Sequence, residues 1–180
     1  MTTFIAILRG INVSGQKLIN MNEFKNFLID LNFKNVKTYI QSGNIIFNYP
    51  NIQSQILSEL IEKKIFEKYK FKVPVIIRTL EEFKIGIENN SFLKDKNIDT
   101  NKLHITFLSA IPNKELTSKI QQNDFLPDKF KIIHKEIYVY CSNGYGSSKL
   151  NNNFFEKKLG LTASTRNIKT VHAILKIACS

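Results

Sequence analysis

A series of hydrophobic periods runs once before the polar stretch at residues 89–101 and again after it, and this repeat limits the fold more than any other feature. In the first series, FIAILRG (residues 4–10) is a short apolar run of strand type. Asn20, with Glu23 three places on, is close to a capping box. Phe24, Phe27, Leu28 and Leu31 follow at the spacing of one helical face. VKTYIQ (residues 36–41) and NIIFNY (residues 44–49) are β-branched and aromatic, and they flank Ser42-Gly43 as a hairpin. Ile52, Ile56, Leu57, Leu60 and Ile61 mark a second helix. VPVIIRT (residues 73–79) closes the series as a strand, with Pro74 near its start, where a missing ladder donor matters least. The order is βαββαβ, the ferredoxin-like split unit. Both alternating sets in the first and last strands are largely apolar, so something must cover each face of the sheet.

Thr79 with Glu82 predicts a capped connecting helix through Phe83 and Ile87. After the polar stretch, KLHITFLSA (residues 102–110) reads as a strand and residues 113–122 as a helix capped by Asn113. KFKIIH and IYVYC (residues 129–134 and 137–141) form a second hairpin. A Gly/Ser loop, SNGYGSSK, leads to a helix near residues 152–159, stopped by Gly160. The last helix starts at about Asn167, with Ile168, Val171, Ile174, Leu175 and Ala178 on one face. The second series therefore reads βαββαα, its final strand replaced by helix. The expected architecture is α+β: two tandem ferredoxin-like (α–β plait) modules with antiparallel sheets, residues 1–90 and 91–180.

The charge balance is carried by lysine. The formal net charge is +11, carried by 23 Lys and only 3 Arg. Ile, Asn and Lys share A/T-rich codons, so genome composition accounts for much of the lysine excess. The lysines are scattered, without a block of like charge, so a solvated basic surface fits better than a nucleic-acid stripe. No apolar stretch is long enough to span a bilayer, and MTTFIAILRG lacks the basic n-region of a secretory signal. The two cysteines, Cys141 and Cys179, form no disulfide framework and no ligand spacing. A cytoplasmic, metal-free globular protein without a membrane partner or cofactor is expected; the oligomeric state is left open.

Three segments resist a structural reading. RGINVSGQK (residues 9–17) leaves the first strand with Gly10 and Gly15, which let a ligand approach the backbone and let exposed N–H groups form an anion nest. It matches neither GxGxxG nor GxxxxGK[ST]. YIQSGN presents Gln41, Ser42, Gly43 and Asn44, good turn chemistry that also offers amides and a hydroxyl. GYGSSK ends in Lys149, and Thr162–Asn167 opens the last helix, whose N-terminus would suit an anion. Ser164 or Thr165 as N-cap explains the hydroxyls, but not Arg166. A cation in a first turn opposes the helix dipole by roughly a few tenths of a kcal/mol, so it calls for a carboxylate or an anion beside it. Two of the three arginines, Arg9 and Arg166, fall in these segments, and Arg offers a fork that Lys cannot imitate. The structural alternative is an Arg–carboxylate pair between the two halves.

No Asp, Glu, His or Cys lies in the three segments. His104, His134 and His172 sit apart in strand or helix patterns, and SSK lacks the SxxK spacing of a Ser/Lys nucleophile. No acid–base pair, nucleophile or metal signature marks an enzyme, and no residue is assigned a catalytic role.

LRGINVSGQK, YIQSGN and the run GYGSSKL…KKLG…STRN…TV resemble the bacterial family known as domain of unknown function 1697, from near residue 5 to the C-terminus. The resemblance implies paired ferredoxin-like modules and supplies no activity. The chain departs from the family pattern at Ser14, where Gly is common, and at Ile168, where an aromatic is usual; the latter removes a stacking residue.

The leading expectation is a binding protein for a phosphate- or carboxylate-bearing small molecule. Its site would be shared by both modules and built from Arg9, Gly10, Asn12, Gly15 and Lys17 with Gln41, Ser42, Gly43, Asn44, Lys149, Thr165, Arg166 and Asn167. The alternatives are single-stranded nucleic-acid binding, which ferredoxin-like sheets with surface aromatics support, and an enzyme acting by anion positioning alone.

Overall fold

A computed structural model describes residues 1–180 and contains two four-stranded antiparallel sheets and six α-helices. The first series gives β1 (Thr2–Leu8), α1 (Met21–Asp30), β2 (Lys34–Tyr39), β3 (Asn44–Tyr49), α2 (Ser54–Tyr69) and β4 (Val75–Thr79). Then come α3 (Leu80–Glu88), β5 (Leu103–Leu108), α4 (Lys114–Ser118), β6 (Lys129–Ile133), β7 (Glu136–Tyr140), α5 (Asn152–Leu159), β8 (Ala163–Asn167) and α6 (Ile168–Cys179). No helix is long and apolar enough to cross a membrane. Two compact units result, Met1–Lys84 with Ile174–Ser180, and Ile85–Ala173. The division falls inside α3, not at residue 90, and the last turns of α6 belong to the first unit. There the Lys37 ammonium donates to the Ile177 carbonyl at 3.4 Å and to the Ser180 hydroxyl at 3.0 Å.

The first sheet runs β2-β3-β1-β4. Phe4, Ala6, Leu8, Ile45, Phe47, Val75 and Ile77 form one face and pack with Phe24 and Leu28 of α1 and Leu57, Ile61 and Ile65 of α2. Burying a side chain of this size contributes about 1.5–3 kcal/mol. The opposite face, with Ile5, Ile7, Ile46 and Ile76, is also buried, as the double alternation required. The α1 cap is the expected one: Asn20 Oδ1 accepts from the Asn22 and Glu23 N–H groups. At α3, Thr79 and Glu82 exchange both bonds of a capping box. The buried stripe of α2 is shifted from the predicted one, because Ile56 is turned outward.

The second sheet runs β6-β7-β5-β8. Leu108, Ile137, Val139, Cys141 and Ala163 pack with Phe155 and Leu159 of α5. Two expectations are corrected here. The helix over residues 113–122 is only the short α4, still capped by Asn113. The final strand is present: residues 163–167, read as loop and helix start, form β8 against β5. The second unit therefore has the full βαββαβ order and not βαββαα.

Corresponding positions match residue by residue. Leu8 N–H donates to the Gly43 carbonyl and Leu108 N–H to that of Lys135, both at 2.8 Å; Arg9 donates to Pro74 and Ser109 to Thr162. Ile5 faces Arg78 across the ladder, and Ile105 faces Arg166. The counterpart of Arg166 is thus Arg78, the arginine outside the motif segments, not Arg9.

Candidate functional site

The two units differ most between their first strand and first helix. In the second, Ser109 leads within a few residues to the Asn113 cap; in the first, the chain makes an excursion from Arg9 to the Asn20 cap. Along it Gly10, Asn12, Ser14, Gly15 and Lys17 all have positive φ, from 47° to 74°. Val13 and Gln16 form an isolated bridge, closed by Gln16 N–H donating to the Val13 carbonyl at 2.9 Å. With Ser14 and Gly15 both left-handed, the tip is a type I′ turn. Each non-glycine residue in this region costs about 1–2 kcal/mol, so surrounding bonds must hold the conformation.

Asn12 supplies three of those bonds. Its amide donates to the Ile19 carbonyl at 3.0 Å and the Gln41 carbonyl at 2.7 Å, and its Oδ1 accepts from Ile19 N–H at 2.8 Å. The Lys17 ammonium donates to the Lys72 carbonyl at 2.8 Å. The Asn12–Gln41 bond carries the first predicted segment onto the second. At the hairpin tip, Ile40 has φ 52°, an outlier for a β-branched residue, and remains 49% exposed. Gly43 has φ 78°, and a Cβ there would lie 2.7 Å from Leu8 Cβ and 2.8 Å from Ile11 Cδ1, so only glycine fits. Asn44 is fully buried and donates to the Tyr39 carbonyl and the Ser42 hydroxyl. Arg9, Gly10, Asn12, Gly15, Lys17, Gln41, Ser42, Gly43 and Asn44 thus belong to one loop cluster, in which Asn12, Gly43 and Asn44 are internal supports. Gly15, Gln41 and Lys17 are exposed, and Arg9, Gly10 and Ser42 half-buried.

The remaining predicted residues lie in the second unit. Lys149 is exposed and lines a cavity of about 190 Å³ with Asp124 and Asp128. Thr165, Arg166 and Asn167 are on β8, so neither Ser164 nor Thr165 caps a helix and Arg166 does not oppose a helix dipole. Asn167 does the capping, its Oδ1 accepting from Thr170 N–H at 2.8 Å. Thr165 bonds to the hydroxyl of Thr106 and to Asn152 Oδ1, each at 2.7 Å. The Arg166 guanidinium donates to the Ser164 hydroxyl and its neighbour's carbonyl, both at 2.9 Å. Sequence reasoning missed Asp128, whose carboxylate takes the Ser142 N–H and hydroxyl on Oδ1 and the Ser148 hydroxyl on Oδ2. It folds the Gly/Ser loop, and its distance along the chain gave no local signal.

Beside the loop cluster, a cavity of about 430 Å³ is lined by Glu59, Glu62, Lys63, Phe66, Lys72 and Pro74. It adjoins the cluster through two carbonyls, Pro74 accepting from Arg9 N–H and Lys72 from the Lys17 ammonium. Burial pushes the Glu62 carboxyl above its ordinary value; the Val75 N–H opposes the rise and Glu59 adds to it. No group of three or more His, Cys, Asp or Glu could hold a metal ion.

A family model described as "Protein of unknown function (DUF1697)" matches residues 1–138. No curated protein matches the chain. Among solved structures, the conserved bacterial protein SP0830 from Streptococcus pneumoniae is similar in fold, with a TM-score of 0.70 and 20% identity over 98% of both chains.

Proposed function

Starting from a chain that belongs to the DUF1697 family of proteins of unknown function, we propose that the loop cluster of its first unit binds a phosphate- or carboxylate-bearing small molecule. We read each unit as a ferredoxin-like plait, with the β1–α1 excursion added to one of the two. Arg9 supplies a guanidinium fork and Lys17 an ammonium for the anion. Gly10 and Gly15 bring backbone N–H groups to the surface without a side chain in the way, and Gln41 and Ser42 orient the remainder of the ligand. Asn12, Gly43 and Asn44 hold the geometry.

The observation that carries this reading is the excursion itself, a strained and densely braced segment absent from the matching connection of the second unit. Closing the fold does not require it, since Ser109–Asn113 does the same job in fewer residues. Arg9 and Lys17 bring two cations to a cluster rich in backbone donors, which suits an anionic group. Arg166, Thr165 and Asn167 have local structural roles in β8 and at the start of α6, and they are outside the proposed site. The burial of Phe4 and Phe47 in the first core favours a small molecule over a single-stranded nucleic acid, because those rings cannot stack on bases.

A thermal-shift comparison of the wild type and Arg9→Lys tests the proposal, using sugar phosphates, nucleotides, dicarboxylates and short oligonucleotides. A ligand at about 100 times its Kd adds about 2.7 kcal/mol. The expected result is a shift with one phosphate or carboxylate class, mildly salt-dependent and reduced in Arg9→Lys. A shift seen only with oligonucleotides and lost steeply with salt would replace the proposal with the nucleic-acid reading. Equal shifts in both proteins would remove Arg9 from the site.

A further inference from the structure

The cavity beside α2 carries chemistry opposite to that of the loop cluster. Glu59, Glu62, Lys63 and Phe66 line it and follow the i, i+3, i+4, i+7 spacing of one helical face. Leu57, Ile61 and Ile65 lie in the core. Glu62 Oε1 accepts the Val75 N–H at 2.8 Å, and that is the only bond the carboxyl makes. Glu59 accepts from the Gln55 amide at 2.8 Å. No ammonium lies within ion-pairing distance of either carboxylate, although Lys63 and Lys72 line the same cavity. Phe66 is 48% exposed, large and apolar, at a position where a solvated helix would carry a polar residue. A partly desolvated carboxyl without a cationic partner, in a cavity of ligand size beside an exposed ring, is a binding-site signature.

We propose that this cavity binds a protonated amine with a flat or aromatic body, the ammonium donating to the second oxygen of Glu62 with Glu59 alongside and the body lying against Phe66. The ammonium supplies the charge-assisted bond that Glu62 lacks and gains from the face of Phe66. Lys63 and Lys72 disfavour a second positive charge, so the ligand is a monoamine and not a polyamine. The proposal does not rest on the anion site: Glu59, Glu62 and Phe66 take no part there, and Lys72 touches it only through the carbonyl that holds Lys17.

The test uses the full chain and a pair of probes, 2-phenylethylamine and its uncharged analogue 2-phenylethanol, followed by NMR at the Val75 amide and the Phe66 ring. The amine should perturb both resonances, bind at least about tenfold more tightly than the alcohol, and lower the Glu62 carboxyl pKa on binding. Glu62→Gln retains an acceptor for Val75 N–H, and in it the amine should fall to the level of the alcohol. Equal binding of the two probes to the wild type would overturn the proposal without any variant. So would perturbations confined to other parts of the chain, a Glu62 pKa unmoved by the amine, or undiminished amine binding to Glu62→Gln.

Discussion

In the second unit a short run from Ser109 to the Asn113 cap turns the chain from β5 into α4, whereas in the first the same turn takes Arg9 through Asn20. The ladders on either side match bond for bond, from Leu8–Gly43 against Leu108–Lys135 to Arg9–Pro74 against Ser109–Thr162. What the second unit does without is therefore not needed to close a βαββαβ sheet. The surplus in the first is a run of left-handed residues fixed by the Asn12 side chain and the Lys17 ammonium, together with Val13 and Leu18, which stay 59% and 65% exposed. A segment that is costly in backbone energy and exposes apolar surface points to selection for something other than stability.

The hairpin tips should show the largest difference. Gly43→Ala places a methyl inside contact distance of Leu8 and Ile11 at a positive φ, and should cost about 2–4 kcal/mol in chemical denaturation. Lys135→Ala, at the matching position, should cost clearly less. Similar losses would mean that the two tips are equally constrained and that the comparison fails at its base.

Next in size is the brace. Asn12→Ala removes three hydrogen bonds at about 1 kcal/mol each, for a loss of about 2–3 kcal/mol, with hydrogen exchange at the Ile19 amide accelerated. Asn113→Ala removes a single cap bond, worth about 1 kcal/mol. Exchange at Ile19 unchanged by the loss of Asn12 would show that the excursion holds its shape by other means.

A smaller effect has the opposite sign. Ser14 sits in the I′ turn at φ 50°, so Ser14→Gly should stabilise by about 0.5–1 kcal/mol, reversing the usual cost of glycine. A loss in thermal midpoint would show that the Ser14 side chain contributes a bond of its own.

These positions also show which parts of the molecule could be read from the sequence. The caps at Asn20, Asn113 and Thr79/Glu82 were legible because each is a local side-chain-to-backbone bond with fixed spacing. Gly10 and Gly15 were legible as loop glycines that free the backbone, and Gly43 as a turn residue. The left-handed Asn12 and Lys17 were not, because bonds to the distant Gln41 and Lys72 hold them, and Ser14 and Ile40 are of residue types that give no signal for positive φ. Strand β8 was missed because ASTRN carries no apolar alternation. Its ladder instead buries Ala163 and Ser164 and satisfies Thr165 through Thr106 and Asn152. That miss moved Arg166 into the first turn of a helix, where it had a dipole to oppose. The repeat itself held the correction, since Arg78-Thr79 and Arg166-Asn167 each precede a helix at the end of the last strand.

The smallest expected difference is in pH dependence, where the units should slope in opposite directions. Glu62 in the first unit has a raised pKa, so the folded chain keeps a proton that the unfolded chain releases above 4.5. Its stability contribution falls as pH rises from there through the folded value. His104 in the second unit stacks on Tyr145 at 4.8 Å, and burial holds its pKa below 6.5 against the opposing Lys102 carbonyl. The unfolded chain then binds the proton first, and stability is lost as pH falls from 6.5 through the folded value. Thermal midpoints against pH should show Glu62→Gln gaining on the wild type toward neutral pH and His104→Asn gaining toward acid. Parallel profiles for the two variants would contradict both assignments.

The proposed anion site is tested most directly by titrating inorganic phosphate into the ¹⁵N-labelled full chain and recording which backbone amides move. A net charge of +11 draws phosphate weakly to many surface lysines, so the diagnostic result is a saturable, localised one. The account predicts saturating shifts at Gly10, Gly15, Ser42 and Gly43, abolished or weakened in Arg9→Lys, and none at the matching Ser109, Ala110 and Lys135. Saturating shifts in the second unit alone, or diffuse unsaturating shifts across both, would contradict it.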